Sequence, residues 1–309
     1  MRESIDEIAT DLGKDPEEAE AAIDRARSLL LAARETRVAP GRDDKQLTSW
    51  NALAIRGMAI AGRVLAREDL IDAARAACAA IQDRLIVDGR LLASYKDGEA
   101  RFPAYLDDHA FLIDASLELL QSRWDSAVLD LATHLAGILL AHFEDKENGG
   151  FYFTAADPEE LMHRPQPLAD EAMPSGNGIA AMALQRLGHL LGNHEYVDAA
   201  ERTLCSAWQA MDEYPHGHVT LLTALGEYLE PPEIIVIRGE ADEIGRWRDA
   251  AAKLYAPSRL IFAIDESVAA LPGMLAERKP LPGETVAYRC VGTHCELPVT
   301  TWEALASQL

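Results

Sequence analysis

Three short polar clusters in this 309-residue chain carry the residue types that proton transfer and polar-ligand binding need. They are R-D-D-K-Q-L-T-S-W-N at 42–51, Y-L-D-D-H at 105–109 and P-S-G-N at 174–177. Each stands before an apolar helical stretch. A loop entering a helix offers free backbone N–H groups and the positive end of the helix dipole to short polar side chains. Three such junctions predict one shared, polar, concave site.

In the second cluster two adjacent acids precede an imidazole, so Asp108 can orient His109, which can move a proton near neutral pH. His109 leads into A-F-L-I and is expected to point inward. Glu171, or His218 in Y-P-H-G-H at 214–218, is the expected opposing acid or base. Asp44 is a further candidate carboxylate, which Arg42 or Lys45 would hold ionised. Trp50 beside Asn51 pairs an aromatic face with an amide, a combination suited to a sugar ring, and Arg42, Tyr105 and Asn177 complete the expected hydroxyl-binding set. Every cluster also has a purely structural explanation. Asp44 or Thr48 could cap the first helix and Asp107 the second, and Gly176 and Gly178 could serve close helix packing alone.

The elements that would position these groups are helical pairs. Asp15 followed by Pro16 starts a long polar helix within Ser4 to Arg37. Beyond the first cluster, apolar helices are expected at 52–65, 110–120, 179–191 and 219–229. The first three are each followed by a more amphipathic partner, at 70–85, 128–143 and 196–211. D-L-I-D-A-A at 69–74 and E-Y-V-D-A-A at 195–200 mark an internal helix-pair repeat. Asp88-Gly89 and Asp97-Gly98 predict hairpin turns between pairs. Less exposed helices inside and amphipathic ones outside describe an α/α toroid, although such pairs could also stack as an open solenoid. After Pro231 and Pro232, apolar runs at 233–237, 259–264 and 286–291 alternate with a helix near 243–254, which predicts a small α/β subdomain at 231–309 beside a helical portion at 1–230.

Composition narrows the partners. A net charge of −22 repels phosphate backbones and anionic lipid headgroups, so neither nucleic acid nor a membrane surface is expected. No run of about 18 uncharged apolar residues occurs, and M-R-E-S-I-D-E is too polar for a signal peptide, so a cytoplasmic location is the expectation. Four cysteines do not suggest a disulfide framework. Cys78 and Cys205 read as buried thiols, whereas Cys290 and Cys295, flanking His294 in C-V-G-T-H-C, could form a metal or redox site but lack a second ligand pair. No cofactor and no metal is called for.

The clusters R-D-D-K-Q-L-T-S-W-N, Y-L-D-D-H-A-F and P-S-G-N, with C-V-G-T-H-C-E-L-P-V-T, resemble the later part of the spermatogenesis-associated protein 20 family. The resemblance implies long proteins with a thioredoxin-like N-terminal domain and an (α/α)6 toroid of the six-hairpin glycosidase type, similar in shape to N-acylglucosamine 2-epimerases. It supplies no settled reaction. The thioredoxin-like domain has no counterpart in this sequence. Three and a half helix pairs leave a six-pair ring open, so self-association or a partner protein is expected to complete it. The reading is a mainly α, partial (α/α)6 toroid with a sugar ligand, acting as an epimerase or isomerase through His109, Asp108 and His218 or Glu171. The alternatives are a glycoside hydrolase using Asp44 or Asp108 with Glu171, and a non-catalytic scaffold in which the clusters only cap helices.

Overall fold

A computed structural model describes residues 4–156 and 163–309, so the first three residues of the N-terminal stretch lie outside the description. The chain divides into two compact units, one ending at Asp44 and one spanning Lys45–Leu309. In the first unit, Ser4 and Glu7 form a reciprocal capping box on α1 (Ile5–Asp11). Asp15 caps α2 (Pro16–Glu35), as its sequence predicts, by accepting from the Glu17 N–H at 2.9 Å. Arg42 and Asp44 also belong to this unit, where they pair with each other.

The second unit opens with β1 (Gln46–Leu47) and the pair α3 (Thr48–Leu65) and α4 (Glu68–Leu85). A small antiparallel sheet follows, in which β3 (Arg90–Lys96) is flanked by β1, β2 (Ile86–Val87) and β4 (Glu99–Pro103). Its two turns are the Asp-Gly pairs read from the sequence, with positive φ at Asp88, Gly89, Asp97 and Gly98. Two further pairs are α5 (Leu106–Ser122) with α6 (Ser126–Ile138), and α7 (Gly176–Leu191) with α8 (His194–Glu213); α9 (Val219–Leu229) ends the series. The helices α3, α5, α7 and α9 pack in succession, each against the next, while α4, α6 and α8 lie on their outer side. This is an arc of an α/α toroid. Almost every residue of α5 and α7 is buried, including charged ones, because each has inner neighbours on two sides and an outer helix behind it.

Residues 231–309 form the expected α/β layer: β5 (Glu233–Gly239), α10 (Ala241–Ala252), β6 (Arg259–Asp265), β7 (Val286–Val291), β8 (His294–Cys295) and α11 (Trp302–Ala306). The strand order is β6-β5-β7-β8, with β5 and β6 parallel across the α10 crossover. Side chains alternate along β5, so Ile234 and Val236 join the helical core while Ile235 and Ile237 pack with Trp247 and Leu305. The Gln121 amide oxygen at the end of α5 accepts from the Ile261 N–H of β6 at 3.3 Å. This shared core explains why the compact division falls after Asp44 and not at 230, where the sequence marks only a change of element type.

Two cysteine expectations change. Cys290 and Cys295 are paired residues across β7 and β8 and form a disulfide, which uses the thiolates that a metal would need. Cys78 is buried as expected, but Cys205 is exposed on α8. Among the described residues, Ser126–Phe143 alone has the length and hydropathy of a membrane span, and half of it is buried within the fold as α6 and the π-helical turn that follows.

Candidate functional site

The starts of the inner helices do gather at one rim, and acids hold them there. Both carboxylate oxygens of Asp108 are engaged, one accepting from the Tyr105 N–H at 2.9 Å and the other from the Ser49 N–H at 2.8 Å, so this residue ties α5 to α3. Asp170 does the same for the next pair, accepting from the N–H groups of Ser175 and Thr220, each at 2.8 Å. Between them α7 approaches both neighbours through glycine. A Cβ on Gly176 would lie 2.1 Å from an Asp107 oxygen, and one on Gly178 would lie 2.8 Å from Thr220 and 3.0 Å from the Leu221 nitrogen. A structural role for these clusters therefore holds, but through Asp108 and Asp170; Asp107, the expected cap of the second helix, makes no such bond among the described residues.

Ionisation follows from the same placements. Burial raises the Asp108 pKa to about 6 despite its two backbone donors. Burial and the neighbouring Asp108 charge also raise Asp107 to about 6, and Asp107 makes no hydrogen bond to the described residues. Burial lowers His109 to about 4. Its Nδ1 bonds the Tyr105 carbonyl at 2.9 Å, its ring lies 4.9 Å from Phe143, and it lines a space of only about 30 Å³. His218 repeats the arrangement, with Nδ1 2.8 Å from the Tyr214 carbonyl.

The larger concave space lies further along the inner helices. A cavity of about 610 Å³ is lined by Leu53 and Arg56 of α3, Asp114 of α5, Met182 and Arg186 of α7, and Thr220, Thr223 and Glu227 of α9, with Ser258 closing one side. Its polar wall is a buried ion network. The Arg186 Nε and Nη2 grip Glu227 at 2.9 and 2.5 Å, and Nη1 reaches Asp114 at 3.4 Å and Glu118 at 3.7 Å. Arg56 Nε bonds Asp114 at 2.5 Å and Arg63 Nη2 bonds Glu118 at 2.7 Å. Burial opposes the Arg186 charge, but the Glu227 hydrogen bonds and the surrounding carboxylates outweigh it and hold its pKa above the ordinary value. For Asp114 burial wins, and its pKa is raised against the pull of Arg56 and Arg186.

None of the eight expected site residues in the second unit lines this cavity. His109 does not point inward to it, because its ring is packed on Phe143; Asp108 and His218 are held by backbone groups. Asn177 is fully buried and locks the loop before α7, accepting from the Phe151 N–H at 2.7 Å and donating to the carbonyls of Phe151 and Pro167. Asn51 donates to the Leu47 carbonyl, Tyr105 stacks on Phe153 at 4.8 Å, and Trp50 and Glu171 are exposed. Asp44 and Arg42 lie in the first unit. What the clusters missed is a stripe: Asp114, Glu118 and Gln121 are spaced four and three apart on one face of α5, where Asp114 pairs with Arg56 and Glu118 with Arg63, seven apart on α3. Isolated charges inside otherwise apolar helices were the available signal.

The fold and site define an arc of helical hairpins around a charged, concave interior. The chain is similar to spermatogenesis-associated protein 20, of which the human protein is 26% identical over 318 residues and the rat protein 25%, in each case over 97% of this chain and 40% of the relative. The chain thus spans about two-fifths of the length of these curated relatives. No family model matches it. Among solved structures it is similar to cellobiose 2-epimerase from Bacillus thermoamylovorans (TM-score 0.44, 15% identity, 54% of this chain and 45% of that one). It is also similar to a GH76 α-mannanase from Bacteroides thetaiotaomicron (TM-score 0.49, 10% identity, 62% and 54%) and to an unsaturated glucuronyl hydrolase from a Bacillus species (TM-score 0.43, 17% identity, 55% and 48%).

Proposed function

We propose that the chain binds a carbohydrate in the cavity between α3, α5, α7 and α9. One observation carries this reading: in about 610 Å³, acceptors (Asp114, Glu227), donors (Arg56, Arg186) and hydroxyls (Thr220, Thr223) line one space with apolar Leu53 and Met182. A hydroxyl-rich ring with apolar C–H faces matches that mixture, and the volume lies in the range of small-molecule sites. The acid–base groups lining the cavity are carboxyls, so the proton transfers of an epimerase, or of a glycoside hydrolase as the alternative, fall to Asp114, Glu227 and Glu230 and not to His109.

Thermal unfolding with a panel of hexoses and disaccharides tests this. A ligand at 100 times its Kd raises stability by about 2.7 kcal/mol, and Thr223→Trp, which fills the cavity from an exposed position on α9, should abolish the response. No response to any sugar removes the reading. The second reading, a non-catalytic scaffold, is favoured by the structural use of Asp108, Asp170 and Asn177, and silence across the panel would leave it standing. Interconversion of epimers, as against release of reducing sugar, separates the two enzymatic outcomes.

A further inference from the structure

A second recess of about 320 Å³ adjoins the first, and Arg56 and Arg186 line both. The two spaces are opposite in character. The first presents Asp114, Glu227 and Glu230 against these two arginines, whereas the second presents Arg56, Arg63, Arg186 and Arg259 against Glu118 alone. That guanidinium density stands out in a chain of net charge −22. Three of the four are held by carboxylates and carbonyls at two or more atoms. Arg186 grips Glu227 and Asp114, Arg63 bonds the Glu118 carboxylate and carbonyl, and Arg259 bonds Glu233 and the Leu309 carbonyl, with its Nη1 left buried and without a partner among the described residues. Arg56 differs. Only its Nε is engaged, by Asp114, and both terminal nitrogens make no hydrogen bond to the described residues. Its side chain is 34% exposed, whereas that of Asp114 behind it is 1% exposed. A guanidinium held by its Nε, with its planar fork open, matches the two oxygens of a carboxylate or phosphate.

We propose that the ligand of this cleft carries an anionic group, so that an acidic or phosphorylated sugar places its hydroxylated body in the first space and its anion on the Arg56 fork in the second. This rests on the carbohydrate reading. Isothermal titration of the full chain with glucose, mannose and galactose, their uronates, their 6-phosphates and inorganic phosphate tests it. The anionic sugars should bind at least about tenfold tighter than the neutral ones. Arg56→Gln should erase that ratio and Arg56→Lys restore only part of it, since a point charge lacks the fork. Independently of any variant, raising salt to about 0.5 M should weaken the anionic sugars and not the neutral ones. Equal affinity of charged and neutral sugars, or an equal salt response, overturns the inference and leaves the carbohydrate reading intact. Binding of inorganic phosphate as tight as that of any sugar phosphate, with neutral sugars silent, supports the anion fork and overturns the carbohydrate reading. Silence of every probe overturns both.

Discussion

Asp107 and Asp108 are adjacent acids with the same raised pKa and opposite structural positions. Asp108 satisfies two backbone donors, while Asp107 is half-buried, without a hydrogen bond among the described residues and pressed against Gly176. Removing the Asp107 charge should therefore help folding. Its folded pKa of about 6 lies above its value of 3.8 in the unfolded chain, so the folded state binds the extra proton between those limits and loses stability as pH rises through them. Asp107→Asn should then match the parent below about pH 4 and exceed it by about 1–2 kcal/mol above pH 6, an order-of-magnitude gain reduced by the lost charge–dipole attraction. Urea midpoints across that range check it. His109 titrates with the opposite sign: its depressed pKa makes stability fall as pH drops from about 6.5 toward 4, and this component should be common to both proteins.

At the scale of elements most of the architecture was legible, because helix starts and periodicity are local. The strand at 286–291 and the helix at 219–229 begin and end where the sequence places them, and the other inner helices start three or four residues earlier, inside the polar clusters themselves. What pattern could not show is which side of a helix its neighbours occupy. Gly176 and Gly178 announce close approach, yet only the structure shows that the first faces α5 and the second α9. Gly178→Ala places a methyl 2.8 Å from the Thr220 Cγ2 and 3.0 Å from the Leu221 nitrogen, so α9 must shift. A loss of about 1–3 kcal/mol is expected. Thr220→Ser removes the nearest contact and should recover part of that loss, leaving the share due to the residue 220 Cβ and the Leu221 nitrogen; a double-mutant cycle in urea measures both.

For the whole molecule, the polar clusters proved to fasten the inner helices at one rim, while the charged interior is built from residues scattered singly through apolar helices. Arg56, Asp114, Glu118, Arg186 and Glu227 sit on four helices up to 171 positions apart, and no local spacing joins them. Their meeting fixes the relative height of α3, α5, α7 and α9, since hydrocarbon faces alone would tolerate sliding by a turn. Arg186 is the hub. Replacing it with Met keeps an unbranched apolar stem but leaves Glu227 buried with no cation of its own, whereas Asp114 keeps Arg56 and Glu118 keeps Arg63. Arg186→Met should cost about 3–5 kcal/mol at neutral pH. Adding Glu227→Gln, which removes the unpaired buried charge, should return most of the loss at pH 7, read from urea midpoints. A double variant no more stable than Arg186→Met alone would mean that the network's value lies in Asp114 and Glu118, and that α9 is held by its apolar face and by Asp170 at its start.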